Sequence, residues 1–282
     1  MTLFDTTDVN LEGQVTIVTG GGRGIGRAIA QALSAAKAKV AVVARTKTQL
    51  AETVDLIEKA GGQVLAIPAD IADHDAIVKM VETVQRELGE IDLLVNNAAV
   101  VNVPGPIWES DPKDWQHTFD VNLHGAFLCA VTVLKTMVKR QHGRIINVAS
   151  GAAMGPITYG AAYCVSKAAL LRLTECIAED AKAHGIIAFA IDPGSVHTAM
   201  SSYLIESEEG QTYLPWFREF MLNGGAVPAE LPASLVTLLA SGKVDSLSGC
   251  FIGVTDDVDQ LVSNSERIAK EELFTLRIHK LS

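Results

Sequence analysis

Along the first hundred residues, short apolar runs rich in β-branched side chains alternate with longer stretches whose apolar residues recur every three or four positions. The runs are QVTIVTG, KVAVVAR, QVLAIPAD and IDLLVNNA, and between them lie RAIAQALSAA, TQLAETVDLIEKAGG and DAIVKMVETVQRELGE. Runs without polar interruption read as strands buried on both faces, and the intervening periodicity reads as amphipathic helices. The pattern therefore predicts βαβ units around a parallel sheet. Past Val100 it continues with a long helix through HGAFLCAVTVLKTMVK, the strand GRIINVAS, the helix AAYCVSKAALLRLTECIAEDAKAHG, the strand IIAFAID, the helix PASLVTLLAS and the strand CFIGV. No linker, composition break or low-complexity segment divides the series. The expectation is an α/β fold with one doubly wound parallel sheet, a single domain over residues 1–282 whose core spans about 11–254.

Two segments depart from the rhythm. Residues 199–228 carry Tyr203, Tyr213, Trp216, Phe217, Phe220, Met221 and Leu222 on a background of Ser, Glu and Gly. They follow a strand at the edge where such sheets bind ligands, so they read as a candidate lid; the alternative is a helical insertion hiding its aromatics in the core. Residues 255–282 form a C-terminal tail: Asp256 to Lys270 is helix-like, and Phe274, Leu276 and Ile278 alternate as in a strand within FTLRIHKL.

Composition narrows the classes. Of 282 residues, 23 are Lys or Arg and 33 Asp or Glu, a formal charge of −10 that excludes nucleic-acid binding by bulk attraction. Hydrophobic residues at 48 % against charged residues at 20 % exclude a disordered chain. Cys129, Cys164, Cys176 and Cys250 are scattered without Cys-x-x-Cys or histidine clusters, so neither a metal site nor a disulfide framework is expected. The N-terminal MTLFDTTDVNLEGQ has no Lys or Arg, and the longest apolar run, Ala126 to Leu134, falls short of the roughly 18 residues a membrane span needs. The expected protein is cytoplasmic, with no membrane and no nucleic-acid partner.

TGGGRGIG stands between the first strand and the first helix. Its spacing is G-x-x-x-G-x-G, with Gly20, Gly24 and Gly26 at the critical places. Glycines permit close backbone approach, and a helix N-terminus offers free N–H groups to a pyrophosphate. A site for NAD usually carries an acid about 20 residues further on, against the ribose hydroxyls. The second strand ends instead in Ala44 and Arg45, and Arg23 lies within the loop. Two guanidinium groups and no acid suit a ribose 2′-phosphate, so NADP(H) is expected over NAD(H).

Tyr163 and Lys167 share one helical face at i, i+4, Ser150 ends the preceding strand, and Asn122 lies in the long helix before it. Lowering a tyrosine by about three pKa units needs roughly 4 kcal/mol, the order of energy an ammonium at about 4 Å supplies at an effective dielectric near 20. Tyr-x-x-x-Lys is thus a sensible general acid/base.

Taken together, TGGGRGIG, NNAA at Asn96 to Ala99, Asn122, Ser150, Tyr163-x-x-x-Lys167 and DPGSVHT at Asp192 to Thr198 resemble the classical short-chain dehydrogenase/reductase family over about Leu11 to Val254. The resemblance implies a Rossmann domain that binds NAD(P) and assembles as a homodimer or homotetramer. It assigns proton exchange to Tyr163, substrate orientation to Ser150, ribose binding and depression of the Tyr163 pKa to Lys167, and a relay water to Asn122. Cofactor contacts fall to Gly20, Gly22, Arg23, Gly24, Ile25, Gly26, Arg45, Asp70, Ile71, Asn97, Ala98, Tyr163, Lys167, Pro193, Gly194, Val196 and Thr198. Three departures stand out: NNAA replaces NNAG, the usual Asp-Gly-Gly after the last strand is absent, and the tail runs past the common end.

The expected activity is hydride transfer between the nicotinamide and a small-molecule carbonyl or secondary alcohol. A reductase of 3-oxoacyl groups on an acyl carrier protein is the alternative, with Lys135, Lys139, Arg140 and Arg144 as a basic docking patch. A catalytically silent NADP sensor would keep the fold without needing Asn122, Ser150, Tyr163 and Lys167 together.

Overall fold

A computed structural model describes residues 3–278. Seven strands form one sheet: β1 (Val15–Thr19), β2 (Lys39–Ala44), β3 (Val64–Pro68), β4 (Ile91–Asn96), β5 (Gly143–Val148), β6 (Ile186–Asp192) and β7 (Phe251–Gly253). Their order is β3-β2-β1-β4-β5-β6-β7 and every pairing is parallel. The chain winds outward from β1 in both directions, so the order reverses between β1 and β4, and a crevice opens there at the C-terminal strand ends.

Strand residues alternate between two cores. On one face Val18, Val40, Val42, Val95 and Ile191 pack against α1 (Gly24–Ala35) and α10 (Glu230–Ala240). On the other, Ile17, Ala41, Val43 and Leu94 pack against α3 (His74–Glu87) and α5 (Ala126–Arg140), while α2 (Lys47–Lys59) closes the first face near β3. Burial on both sides is the physical reason these strands lack polar interruptions.

The long helix preceding β5 is more elaborate than its periodicity implies. It opens as α4 (Pro112–Phe119), capped by the Asp111 carboxylate, loosens into a π-turn over Asp120–Gly125, and continues as α5. Pro112–Arg140 is thereby long and apolar enough to cross a membrane by length and composition, yet 56 % of its most apolar stretch is buried within the protein. It is built as a core helix. The helix α6 (Ala161–Ala181) then leads into β6.

After β6 come α7 (Ala199–Glu206), α8 (Glu208–Tyr213) and α9 (Pro215–Phe220). The tail adds α11 (Val258–Ser263) and α12 (Ser265–Glu271). The strand expected over Phe274 to Ile278 does not form: Glu272 and Phe274 both take left-handed backbone angles, and the β7 edge gains one bond, from Phe251 N–H to the Phe274 carbonyl at 2.8 Å. Leu276 is held instead by Glu175 of α6, which accepts from the Leu276 N–H and from Arg172 and Arg277. The remainder of the expected strand, from His279, lies outside the described residues.

Candidate active site

The glycine loop connects β1 to α1 through left-handed turns at Gly20 (φ 65°) and Gly24 (φ 55°). Only glycine fits at Gly26, where a Cβ would stand 2.3 Å from the Gly20 carbonyl oxygen and 2.4 Å from the Asn97 amide nitrogen. Neighbouring segments hold the loop open: Asn97 Nδ2 donates to the Thr19 carbonyl (2.9 Å), Thr53 Oγ1 to Gly21, and Arg27 to Gly22. The start of α1 has neither a side-chain cap nor an acidic first turn, so its N–H groups face the crevice unopposed.

A cleft of about 240 Å³ runs from this loop across the sheet. It is lined by Gly20, Gly22, Arg23, Gly24, Ile25, Gly26, Arg45, Asp70, Ile71, Asn97, Ala98, Tyr163, Lys167, Pro193 and Thr198, the greater part of the residues expected to contact cofactor. Gly194 and Val196 line a neighbouring cavity instead, because the chain after β6 turns at Gly194 (φ 67°) away from the cleft. Arg23 and Arg45 are both exposed at the cleft, with Arg45 3.9 Å from the Asp70 carboxylate. The cradle, the free N–H groups and two cations make a donor set that fits a dinucleotide carrying an extra phosphate.

Tyr163 lies on the wall between the cleft and that neighbouring cavity. Its phenol lies beside the Ser150 hydroxyl, whose influence favours the phenolate. Lys167, 2 % exposed, donates to the Val148 carbonyl at 2.8 Å, with Nζ 5.7 Å from the centre of the Tyr163 ring. Burial pushes Tyr163 up to about 12, against the pull of the Ser150 hydroxyl, and pushes Lys167 down to about 7. The expected depression of Tyr163 by Lys167 is therefore reversed in this structure, since desolvation penalises both charged forms.

Asn122 has a packing role that the sequence did not show. It is 1 % exposed, its Oδ1 accepts from Val100 N–H (2.8 Å), and both amide hydrogens are committed, to the Val100 carbonyl (2.9 Å) and Ser166 Oγ (3.0 Å). Ser166 in turn donates to the Tyr163 carbonyl. The side chain ties the π-turn to α6, so a relay water would find only one remaining lone pair on it. A residue the sequence did not flag, Asn102, accepts from the Tyr163 N–H at 3.2 Å and so serves the otherwise uncapped start of α6. Nothing in VNVPGP signals this, because the partner lies 61 residues away.

The second cavity, about 350 Å³, holds Ser150 and Tyr163 at one end and is otherwise mainly apolar, with Ile157, Cys164, Leu204, Leu214, Trp216, Phe217 and Phe220 on its walls. The one charged group is Asp192, whose pKa burial raises while its carboxylate accepts from the Gly194 N–H. Of the aromatics of 199–228, Trp216, Phe217 and Phe220 line this cavity, and Trp216 remains 49 % exposed. Of the four expected docking cations, two are neutralised internally: Arg140 on Asp92 and Arg144 on Asp245.

Comparison with known proteins agrees with this geometry. Residues 14–209 match the family described as short chain dehydrogenase. A short chain dehydrogenase of Pseudocercospora fijiensis is 32 % identical over 280 residues, covering 95 % of this chain and 90 % of the relative. A 3-oxoacyl-[acyl-carrier-protein] reductase of Synechocystis is 36 % identical over 195 residues, 69 % of this chain and 78 % of the relative. Among solved structures, a candidate NAD(P) dependent gluconate 5-dehydrogenase from Beutenbergia cavernae with bound NADP superposes with a TM-score of 0.78 at 30 % identity, covering 87 % of this chain and 96 % of that one.

Proposed function

The chain belongs to the short-chain dehydrogenase/reductase family of oxidoreductases, and from that premise we propose that it is an NADP(H)-dependent enzyme interconverting a small carbonyl compound and its secondary alcohol. The observation that carries this reading is the position of Tyr163: it is shared by a cleft with phosphate-binding features and a mainly apolar cavity, with Lys167 on the first side and Ser150 on the second.

The glycine loop and the N-terminus of α1 take the pyrophosphate, Arg23 and Arg45 the 2′-phosphate, Asp70 and Ile71 the adenine, and Lys167 the nicotinamide ribose. When bound, the nicotinamide supplies or accepts the hydride at the substrate carbon. Ser150 holds the carbonyl oxygen by its hydroxyl. Tyr163 gives that oxygen a proton as negative charge develops, and burial keeps the phenol protonated at neutral pH, the state reduction needs. Lys167, with a pKa of about 7, exists near neutrality in both forms and so is able to return a proton to the phenolate. Asn122 and Asn102 act through α6, keeping the Tyr163 turn in register. Residues 199–228 serve as the lid, and the chain works as one Rossmann-type unit in the cytoplasm, as a homodimer or homotetramer whose mass light scattering measures.

The test follows NADPH absorbance with a panel of ketones. We expect NADPH to be preferred over NADH and Tyr163→Phe to lose about 10²- to 10⁴-fold in kcat. Equal turnover with NADH sinks the cofactor assignment, and an active Tyr163→Phe sinks the mechanism. The Synechocystis relative favours the carrier-linked alternative, whereas pairing of Arg140 and Arg144 inside the fold weakens it.

A further inference from the structure

Beyond the substrate cavity, on the outer side of Trp216 and Ile157, lies a second groove of about 470 Å³. Both residues line the two spaces, so the groove adjoins the cavity that holds Ser150 and Tyr163. It is lined by Pro156, Tyr159, Tyr213, Pro215 and Trp216, with Thr158 and Thr212 beside them, and among the described residues no charged side chain lines it. The Tyr159 and Tyr213 rings stand 5.0 Å apart at 56°. Tyr159 is 38 % exposed and Trp216 49 %, so both rings present apolar faces to the groove.

The backbone adds an independent sign. Tyr159 sits at φ 67°, a left-handed conformation in which a bulky residue is strained. The strain is imposed by its surroundings: the Gly160 N–H closes a turn onto Ile157, and the Tyr159 carbonyl accepts from the Gly105 N–H at 3.0 Å. A glycine would take the same turn without cost, so what the tyrosine adds is its ring.

We propose that Tyr159, Tyr213 and Trp216 form a distal subsite that seats a neutral aromatic ring of the substrate, so that this chain acts on extended aryl-bearing ketones or their alcohols. The inference rests on the oxidoreductase reading above and narrows it. Among the described residues, neither space has a lysine, arginine or histidine on its walls. A sugar acid's carboxylate or a carrier's phosphate would therefore be desolvated there without a partner. A second ring, by contrast, replaces water on three aromatic faces.

The experiment compares acetophenone with 4-benzyloxyacetophenone, which places a second ring on a flexible ether beyond the reacting carbonyl. With NADPH, kcat/KM for the extended ketone is expected to exceed that for acetophenone by about tenfold, the factor one well-placed aromatic contact carries. In Tyr213→Ala and in Tyr159→Gly that ratio falls toward one. Because glycine takes the left-handed turn at Tyr159 without strain, which offsets part of the lost ring contact, Tyr159→Gly is expected to keep a cooperative unfolding transition, and that separates loss of the subsite from loss of the fold. A wild-type ratio near one, or a ratio that survives both substitutions, overturns the proposal. Calorimetric titration of the two corresponding alcohols reads affinity without turnover. A preserved affinity ratio with no ketone consumed removes the hydride-transfer reading and leaves the subsite; turnover without the ratio does the reverse.

Discussion

Replacing Lys167 by methionine tests the electrostatics of the site and predicts a trade of activity for stability. The lysine is almost wholly buried, its one direct hydrogen bond is to the Val148 carbonyl, and its pKa falls from 10.5 to about 7. A fall of about 3.5 units corresponds to roughly 5 kcal/mol by which folding disfavours the charged form. The sign follows from proton counting. Between pH 7 and 10.5 the unfolded chain holds the proton and the folded chain does not, so stability rises with pH across that window. The penalty is complete below the folded pKa and gone above the unfolded one. Near pH 7 it stands at about 4 kcal/mol, and by pH 9 at about 2 kcal/mol. Methionine removes it at similar length but leaves the Val148 carbonyl without its partner, at about 1–3 kcal/mol. Lys167→Met is therefore expected to gain about 1–3 kcal/mol at pH 7, to lose about 2 kcal/mol of that advantage by pH 9, and to lose activity. Denaturant midpoints at pH 7, 8 and 9 measure it. Cys129, Cys250 and Tyr163, all raised by burial, enter only at and above pH 9, which keeps the lower part of the window clean. A variant less stable than wild type at pH 7, or a difference that stays flat with pH, refutes the reasoning.

Three further substitutions probe other parts of the molecule. Gly26→Ala drives a methyl into the Gly20 carbonyl and the Asn97 amide, so NADPH affinity measured by calorimetry should drop at least tenfold; unchanged binding would show that the loop is not the cradle. Arg45→Glu should lower kcat/KM with NADPH by roughly 10- to 100-fold, the worth of a charge-assisted contact, while raising it with NADH, and parallel losses with both would disprove a 2′-phosphate contact. Glu175→Ala releases the Leu276 N–H together with Arg172 and Arg277, whose exposure limits the cost to about 1–3 kcal/mol; limited proteolysis should then cut near residues 274–277, and an uncut tail would contradict the clamp.

The features legible in the sequence are those whose partners are near along the chain or whose chemistry is carried by one side chain. Tyr163 and Lys167 meet on one face because four residues make about one helical turn. Gly24 and Gly26 announce a tight turn because no other residue fits. The features that were not legible have distant partners. Asn102 serves the Tyr163 N–H from the far end of a loop, and the side chain of Asn122 ties Val100 to Ser166. The alternation of Phe274, Leu276 and Ile278 resembles a strand, yet left-handed angles at Glu272 and Phe274 turn the segment back onto Glu175. Arg140 and Arg144 read as a docking patch until Asp92 and Asp245 neutralise them.

Periodicity alone determined that this chain builds a parallel sheet clad by helices, since burial on one or both faces leaves its mark at every strand and helix residue. The residue types alone supplied the candidates for the site: glycines, two arginines, an asparagine, a serine, a tyrosine and a lysine. What tertiary structure decided was the environment in which they act. Packing surrounds Lys167 and much of Tyr163 with protein, and that burial moves the tyrosine up and the lysine down, against the simple expectation from charge proximity. It also brought Tyr159 to one groove with Tyr213 and Trp216, more than fifty residues further along the chain. Dielectric surroundings and convergence depend on the positions of many residues at once, and no local pattern encodes them.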